Sequence, residues 1–189
     1  VLAPACCELG KWSKKKISYE GYQKLSYLHP KHFTPDRNVI KKYIKNDKYF
    51  LLRFSKLTAH HDFGRKGLST EVVTKLLNIL SEHGDVFITS EREIEPEFEK
   101  YRIKINQTDI HHFLYFAEMF IGDSQSMALE AAILGVPSVR FSDFSGEISV
   151  LEEIEHKYGL TIGIKTSDPG KLYSKVKQLL STSNLKIKW

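Results

Sequence analysis

The run Gly122-Asp123-Ser124-Gln125-Ser126, followed by a carboxylate at Glu130, is the part of this chain best equipped for chemistry. It reads as the end of a strand, a tight polar turn and an amphipathic helix that Gly135 stops before the next strand. Such a turn aims several backbone N–H groups, and the positive end of a helix dipole, at one point in space. That point suits a phosphate. Glu130, further along the same helix, is placed to hold the hydroxyls of a sugar attached to that phosphate. Strand, anion cradle and acidic anchor together point to a nucleotide or nucleotide-sugar site. An ordinary α/β crossover with a polar turn has the same pattern, with Asp123 or Ser124 acting only as helix cap. Both readings stand at this level.

Other polar residues gather in loops. His60, His61 and Asp62 share one of them. His60 is the candidate catalytic residue: an imidazole there can contact a pyrophosphate or move a proton near neutral pH. A loop closed by its own hydrogen bonds is the alternative. A metal would need ligands from elsewhere, so no metal site is expected. Glu91 with Arg92, and Arg140 with Glu147, lie in two further loops. Arg53 sits inside a strand candidate, either paired with a core acid or lining a cleft floor. His111 and His112 read as a helix-packing pair.

The elements that must position these groups follow from periodicity. Residues 49–54 form an apolar run of the kind seen in parallel strands buried on both faces. Ser69 or Thr70 caps a helix to about His83, whose apolar face holds Val72, Val73, Leu76, Leu77 and Leu80, and Gly84 ends it. Strands are expected at 85–89, 102–105, 119–121, 138–141 and 161–164. Helices are expected after Thr108 or Asp109, over 148–158, and from Asp168-Pro169 onward. In the helix after Ser126, Met127, Leu129, Ile133 and Leu134 are read as the buried face. Strands alternating with helices predict one α/β domain with a doubly wound, mostly parallel, Rossmann-like sheet. Ligands bind such sheets beyond the carboxyl ends of the strands. Residues 59–64, 90–93, 122–126 and 140–147 all fall there. Residues 1–36, with three prolines and several aromatics, read as a linker or the remnant of a preceding domain; residues 37–189 carry the nucleotide-sugar-binding domain.

Composition narrows the partners. The chain has 189 residues, 41% of them hydrophobic and 27% charged, an ordinary globular balance. The net charge of +5 suits an anionic small ligand, an acidic partner or a membrane surface. Without aromatics interleaved among the basic residues, nucleic acid is not expected. No apolar run reaches the length of a membrane span and no signal-peptide pattern opens the chain, so the cytoplasm is the expected location. Cys6 and Cys7 are adjacent and too few for a disulfide scaffold. The chain opens on Val1, which fits an upstream portion left out. Neither GxGxxG nor a Walker sequence is present, and no cofactor is expected.

These residues carry a resemblance. Gly122-Asp123-Ser124-Gln125-Ser126, then Glu130-Ala131 and Leu134-Gly135-Val136-Pro137, resembles the nucleotide-sugar site in the second domain of GT-B-type proteins, UDP-N-acetylglucosamine 2-epimerases among them. The pattern in that family is Ser-Asp-Ser-Gly-Gly, Glu-Glu-Ala, Leu-Gly-x-Pro. Residues 58–64 are similar to its Thr-x-His-Arg loop, and Arg140 with Glu147 to its next loop. An uncharacterised archaeal and bacterial family of the same superfamily is more similar still, through Gly21-Tyr22, Tyr27-Leu28-His29-Pro30, Leu52-Arg53-Phe54, Ala59-His60-His61-Asp62 and Gly122 to Met127. Two positions depart from the epimerase pattern. Gln125-Ser126 replaces its Gly-Gly, putting side chains near the phosphate, and His61 replaces its arginine.

The resemblance implies a C-terminal GT-B domain that binds a UDP-type sugar nucleotide, with the N-terminal domain absent. Gly122, Asp123, Ser124, Gln125, Ser126, Glu130, His61, Glu91, Arg140 and Glu147 would form the ligand site, and the base would lie near residues 90–93 and 105–108. Glycosyl transfer or sugar epimerisation would then be the reaction of the whole protein. A non-catalytic α/β module that binds a protein or an anionic polymer is the alternative from another class.

Overall fold

A computed structural model describes residues 1–56 and 64–189. Residues 57–63, and with them His60 and His61, lie outside the described residues. The N-terminal arm contains β1 (Leu2–Pro4) and β2 (Ile17–Tyr19), paired in parallel, and the one-turn helix α1 (Leu25–Leu28). The short helix α2 (Arg37–Ile40) follows, its first turn capped by Asp36, which accepts the Asn38 amide.

Five strands then form a single parallel sheet. They are β3 (Tyr49–Phe54), β4 (Asp85–Ser90), β5 (Met119–Gly122), β6 (Ser138–Phe141) and β7 (Ile162–Ile164), in the spatial order β4-β3-β5-β6-β7. The helices are α3 (Thr70–Ser81), α4 (Ile110–Phe116), α5 (Gln125–Ile133), α6 (Ser149–His156), α7 (Pro169–Leu180) and the short α8 (Leu185–Lys188). Strand β3 is apolar at every position but Arg53 because both its faces are covered. Phe50, Leu52 and Phe54 pack with α3 and α7, while Tyr49 and Leu51 pack with α2, α4 and α5. The doubly wound α/β class expected from the sequence is therefore the observed one.

The caps explain where the helices begin. Ser69 accepts the Val72 amide and Asp168 the Lys171 amide, with Pro169 in the first turn of α7. Ser124 rather than Asp123 caps α5, accepting the Met127 amide. Asp109 precedes α4 without capping it. Its carboxylate instead accepts the Tyr43 hydroxyl and pairs with Lys42.

Two sequence expectations need correction. Residues 102–105 form no strand. A single parallel bridge joins Ile88 to Arg102, and the chain then leaves the sheet edge. Its apolar-polar alternation arises because Ile103 and Ile105 pack against the α4 side of the core. The segment must also cross from edge strand β4 to β5 on the far side of β3. In α5, the residues fully turned to the sheet are Met127, Ala128, Ala131 and Ala132, while Leu129 and Ile133 are half-buried. Leu129 instead lines a cavity between α5 and the N-terminal arm, shared with Leu2, Tyr19 and Leu25.

The chain runs from β3 outward to β4, then returns past β3 to build β5, β6 and β7. The direction of winding thus reverses between β3 and β5. Crevices for ligands open at that reversal, beyond the carboxyl ends of the strands.

Candidate functional site

A cavity of about 610 Å³ opens at this reversal, within the range of small-molecule sites. One wall is the start of α5, with Ser124, Ser126, Met127 and, deeper, Glu130. Arg53 of β3 and Thr89, Ser90 and Glu91 at the end of β4 form the floor and a second wall. Residues 102–105, Gln107, Ile110 and His111 close the third side.

Gly122 ends β5 in register with Arg53 of β3. A Cβ at Gly122 would stand 2.8 Å from the Arg53 carbonyl oxygen and 2.9 Å from Phe120 Cζ, so this close approach needs glycine. The next residue, Asp123, is buried. Its Oδ1 accepts the Ser55 amide at 2.6 Å and its Oδ2 the Leu68 amide at 3.1 Å. Arg92 Nη2 lies 3.5 Å away and also donates to the Leu68 carbonyl. Burial pushes the Asp123 carboxyl up, against the opposing pull of the Ser55 amide and Arg92. Asp123 therefore holds together the chain segments that frame the cavity from beneath.

Past it, Ser124 caps the helix and Ser126 is exposed to the cavity. Helix geometry leaves the Gln125 and Ser126 amides without an intrahelical acceptor. The Gln125 side chain folds back, its Nε2 donating to the Asp123 carbonyl at 3.1 Å. It therefore does not project into the space that the glycines keep open in the epimerase pattern.

Charge on the other walls is mixed. Arg53 Nη2 is ion-paired with Glu91, and its Nε is buried with no partner among the described residues. Arg102 pairs with Glu99 at 2.8 Å, and Lys104 is exposed at the mouth. Glu130 Oε1 accepts from Lys24 Nζ at 2.9 Å and from the Tyr27 hydroxyl at 2.8 Å, while Oε2 stands 3.4 Å from His111 Nε2. Burial would raise this carboxyl. Its hydrogen bonds from His111, Lys24 and Tyr27 outweigh that and hold it at about 2. Glu130 is thus a fixed anion in a cavity of mixed charge.

The cavity brings together Ser124, Ser126, Glu130 and Glu91 of the sequence-predicted residues, with Gly122 and Asp123 beneath them. Arg140 lies outside its lining. That side chain is fully buried, with Nη2 at 2.5 Å from Glu155 and 3.4 Å from Glu152. Glu147 also lies outside, in a two-pronged pair with Arg65 at 2.9 and 2.8 Å. Sequence reasoning left Arg53 undecided, read His111 as a helix-packing residue although it lines the cavity, and gave no site role to Lys24, Tyr27, Arg102 or Lys104. Nothing in sequence spacing links Lys24 and Tyr27 to a carboxylate about a hundred residues away. Among the described residues, no helix is long and apolar enough to cross a membrane.

No family model matches the chain, and no curated protein matches its sequence. Solved structures do match in fold. The UDP-GlcNAc 2-epimerase from Methanocaldococcus jannaschii superposes with a TM-score of 0.53 and 16% identity, over 78% of this chain and 44% of that one. Methanocaldococcus jannaschii UDP-GlcNAc 2-epimerase in complex with UDP-GlcNAc and UDP gives a TM-score of 0.52 and 17% identity, over 85% and 45%. At such identity the likeness is one of fold: a Rossmann-like α/β domain of the kind found in GT-B proteins. The chain spans less than half the length of the structures it matches.

Proposed function

We propose that this chain is the nucleotide-sugar-binding domain, the C-terminal half, of a GT-B-type glycosyltransferase or 2-epimerase-like protein. Its ligand is a uridine-type diphosphosugar. The observation that carries this reading is the cavity itself. Ser124 and Ser126 at a helix start, the arginine of β3 and the Glu130 carboxylate share one crevice at the reversal of the sheet. The solved complex of a similarly folded epimerase with UDP-GlcNAc and UDP supports the ligand class.

In this reading the diphosphate meets the Gln125 and Ser126 amides and the Ser126 hydroxyl, with Arg53 and Lys104 supplying charge. The ribose meets Glu130. The base lies between residues 90–93 and 103–107. Oriented amides at the helix start stabilise the departing nucleoside diphosphate in glycosyl transfer or epimerisation. His60 and His61 are proposed to approach the same phosphates from the loop after β3. The acceptor or remaining catalytic groups belong to an N-terminal domain, so this chain alone binds without turning over. The cytoplasm suits such a ligand.

The test is titration with UDP of the chain and of a Ser126→Ala, Glu130→Ala double variant. At least a tenfold loss, about 1.4 kcal/mol, is expected. Unchanged affinity would reject the assignment and favour a module that binds a protein or an anionic polymer.

A further inference from the structure

Glu130 is held from outside its own helix by two side chains of the N-terminal arm. Lys24 and Tyr27 both donate to Oε1, at 2.9 and 2.8 Å. The Lys24 ammonium also lies 5.6 Å from the Tyr27 ring centroid, and the Tyr27 ring packs against His111 at 5.4 Å. Glu130 and His111 line the cavity, and Lys24 and Tyr27 do not. The carboxylate therefore has two unlike ends. Oε1 is engaged by the arm, and among the described residues Oε2 has only His111, at 3.4 Å, on the cavity side.

A glutamate on a helix surface samples several rotamers and loses that freedom when it binds a hydroxyl. Two donors fixed on one oxygen remove the freedom beforehand and leave the other oxygen aimed. They also keep the group ionised, and an ionised carboxylate offers only acceptors, which suits a sugar's hydroxyls. The low Glu130 carboxyl value of about 2 agrees with that geometry.

We propose that Lys24 and Tyr27 are positioning residues: the arm holds Glu130 so that Oε2 accepts a ribose hydroxyl, and preference for ribonucleotides depends on the docked arm. This rests on the nucleotide-sugar reading of the cavity.

The experiment compares the affinity of UDP, 2′-deoxy-UDP and inorganic pyrophosphate for the wild-type chain and for a Lys24→Met, Tyr27→Phe double variant. The wild type is expected to prefer UDP over 2′-deoxy-UDP. The double variant should lose about tenfold in UDP affinity, the worth of one charge-assisted hydrogen bond, while pyrophosphate affinity stays unchanged. Lys24→Arg should restore the preference. Tyr22→Phe removes the arm's hydrogen bond to Glu153 of α6, 2.7 Å long, and serves as the control for a loosened arm. It should lower the melting temperature and keep the preference.

A double variant with the wild-type preference, or one that loses pyrophosphate as much as UDP, overturns the positioning role. A wild type that binds UDP and 2′-deoxy-UDP equally overturns it too, while leaving the nucleotide reading intact. A wild type that binds neither UDP nor pyrophosphate overturns both.

Discussion

The carboxylate of Asp123 accepts the Ser55 amide at 2.6 Å, and this bond ties the turn after β5 to the chain leaving β3. The Leu68 amide, 3.1 Å from the other oxygen, brings in the segment before α3. One buried acid thus fixes the three pieces of backbone from which the cavity rises. Asp123→Asn keeps the shape but turns an NH₂ toward an amide that needs an acceptor. Urea denaturation should show a loss of about 1–3 kcal/mol, the cost of a buried hydrogen bond left unmade.

The Arg53–Glu91 pair makes a prediction about affinity. Glu91 is half-exposed and occupies the guanidinium that the proposed diphosphate would use. Glu91→Gln frees that charge and should tighten UDP about threefold, in line with the worth of an exposed ion pair. The gain should shrink at high salt, because screening weakens the freed charge. Weaker binding in the variant would mean that Glu91 itself holds the ligand.

Glu130 gives the chain an acid-sensitive component. Its carboxyl is held at about 2, below the ordinary value of 4.5. A depressed acid stabilises the fold at pH values above 4.5, where the unfolded chain is also ionised. That contribution is lost as pH falls from 4.5 through 2. Chemical denaturation at a series of pH values should show stability declining over that window, and Glu130→Gln should flatten the decline. Asp109, Asp143, Glu147 and Glu153 are also shifted down and keep some slope in the variant.

Arg140 makes a prediction of the opposite kind, about stability alone. Its Nε and Nη1 are buried with no partner among the described residues, so Glu155 and Glu152 carry its compensation. Glu155 also accepts the Gly163 amide at 2.9 Å. Glu155→Ala should cost about 3 kcal/mol, as breaking a buried pair does. Nucleotide affinity should not change, since Arg140 stands outside the cavity lining.

Much of this frame was legible in the sequence. Central parallel strands are apolar runs, and residues 49–54 and 119–121 show it without ambiguity. Ser69 and Asp168 carry caps that the sequence displays. Residues 102–105 misled because packing against the flank of a core gives the same alternation as a strand. The apolar residues of α5 misled because Leu129, Ile133 and Leu134 flank the buried face and are only partly covered, and sequence does not say which apolar side of the helix meets the sheet. The arm was the least legible part. Strands β1 and β2 are three residues each, Ile17 and Leu2 are largely exposed, and their pairing is set by tertiary contact. Its Lys24 and Tyr27 reach Glu130 across a sequence gap that no local pattern reports. Gly163 belongs to the same class. A Cβ there would stand 2.7 Å from Arg140 Nη2 and 2.8 Å from Glu155 Oε2 and would press on that ion pair.

Calorimetric titration of this chain with UDP and UDP-N-acetylglucosamine, against ADP and GDP, tests the central claim most directly. Saturable binding of the uridine ligands, tighter than that of ADP or GDP, is the predicted result. Absence of binding by every nucleotide would contradict the account.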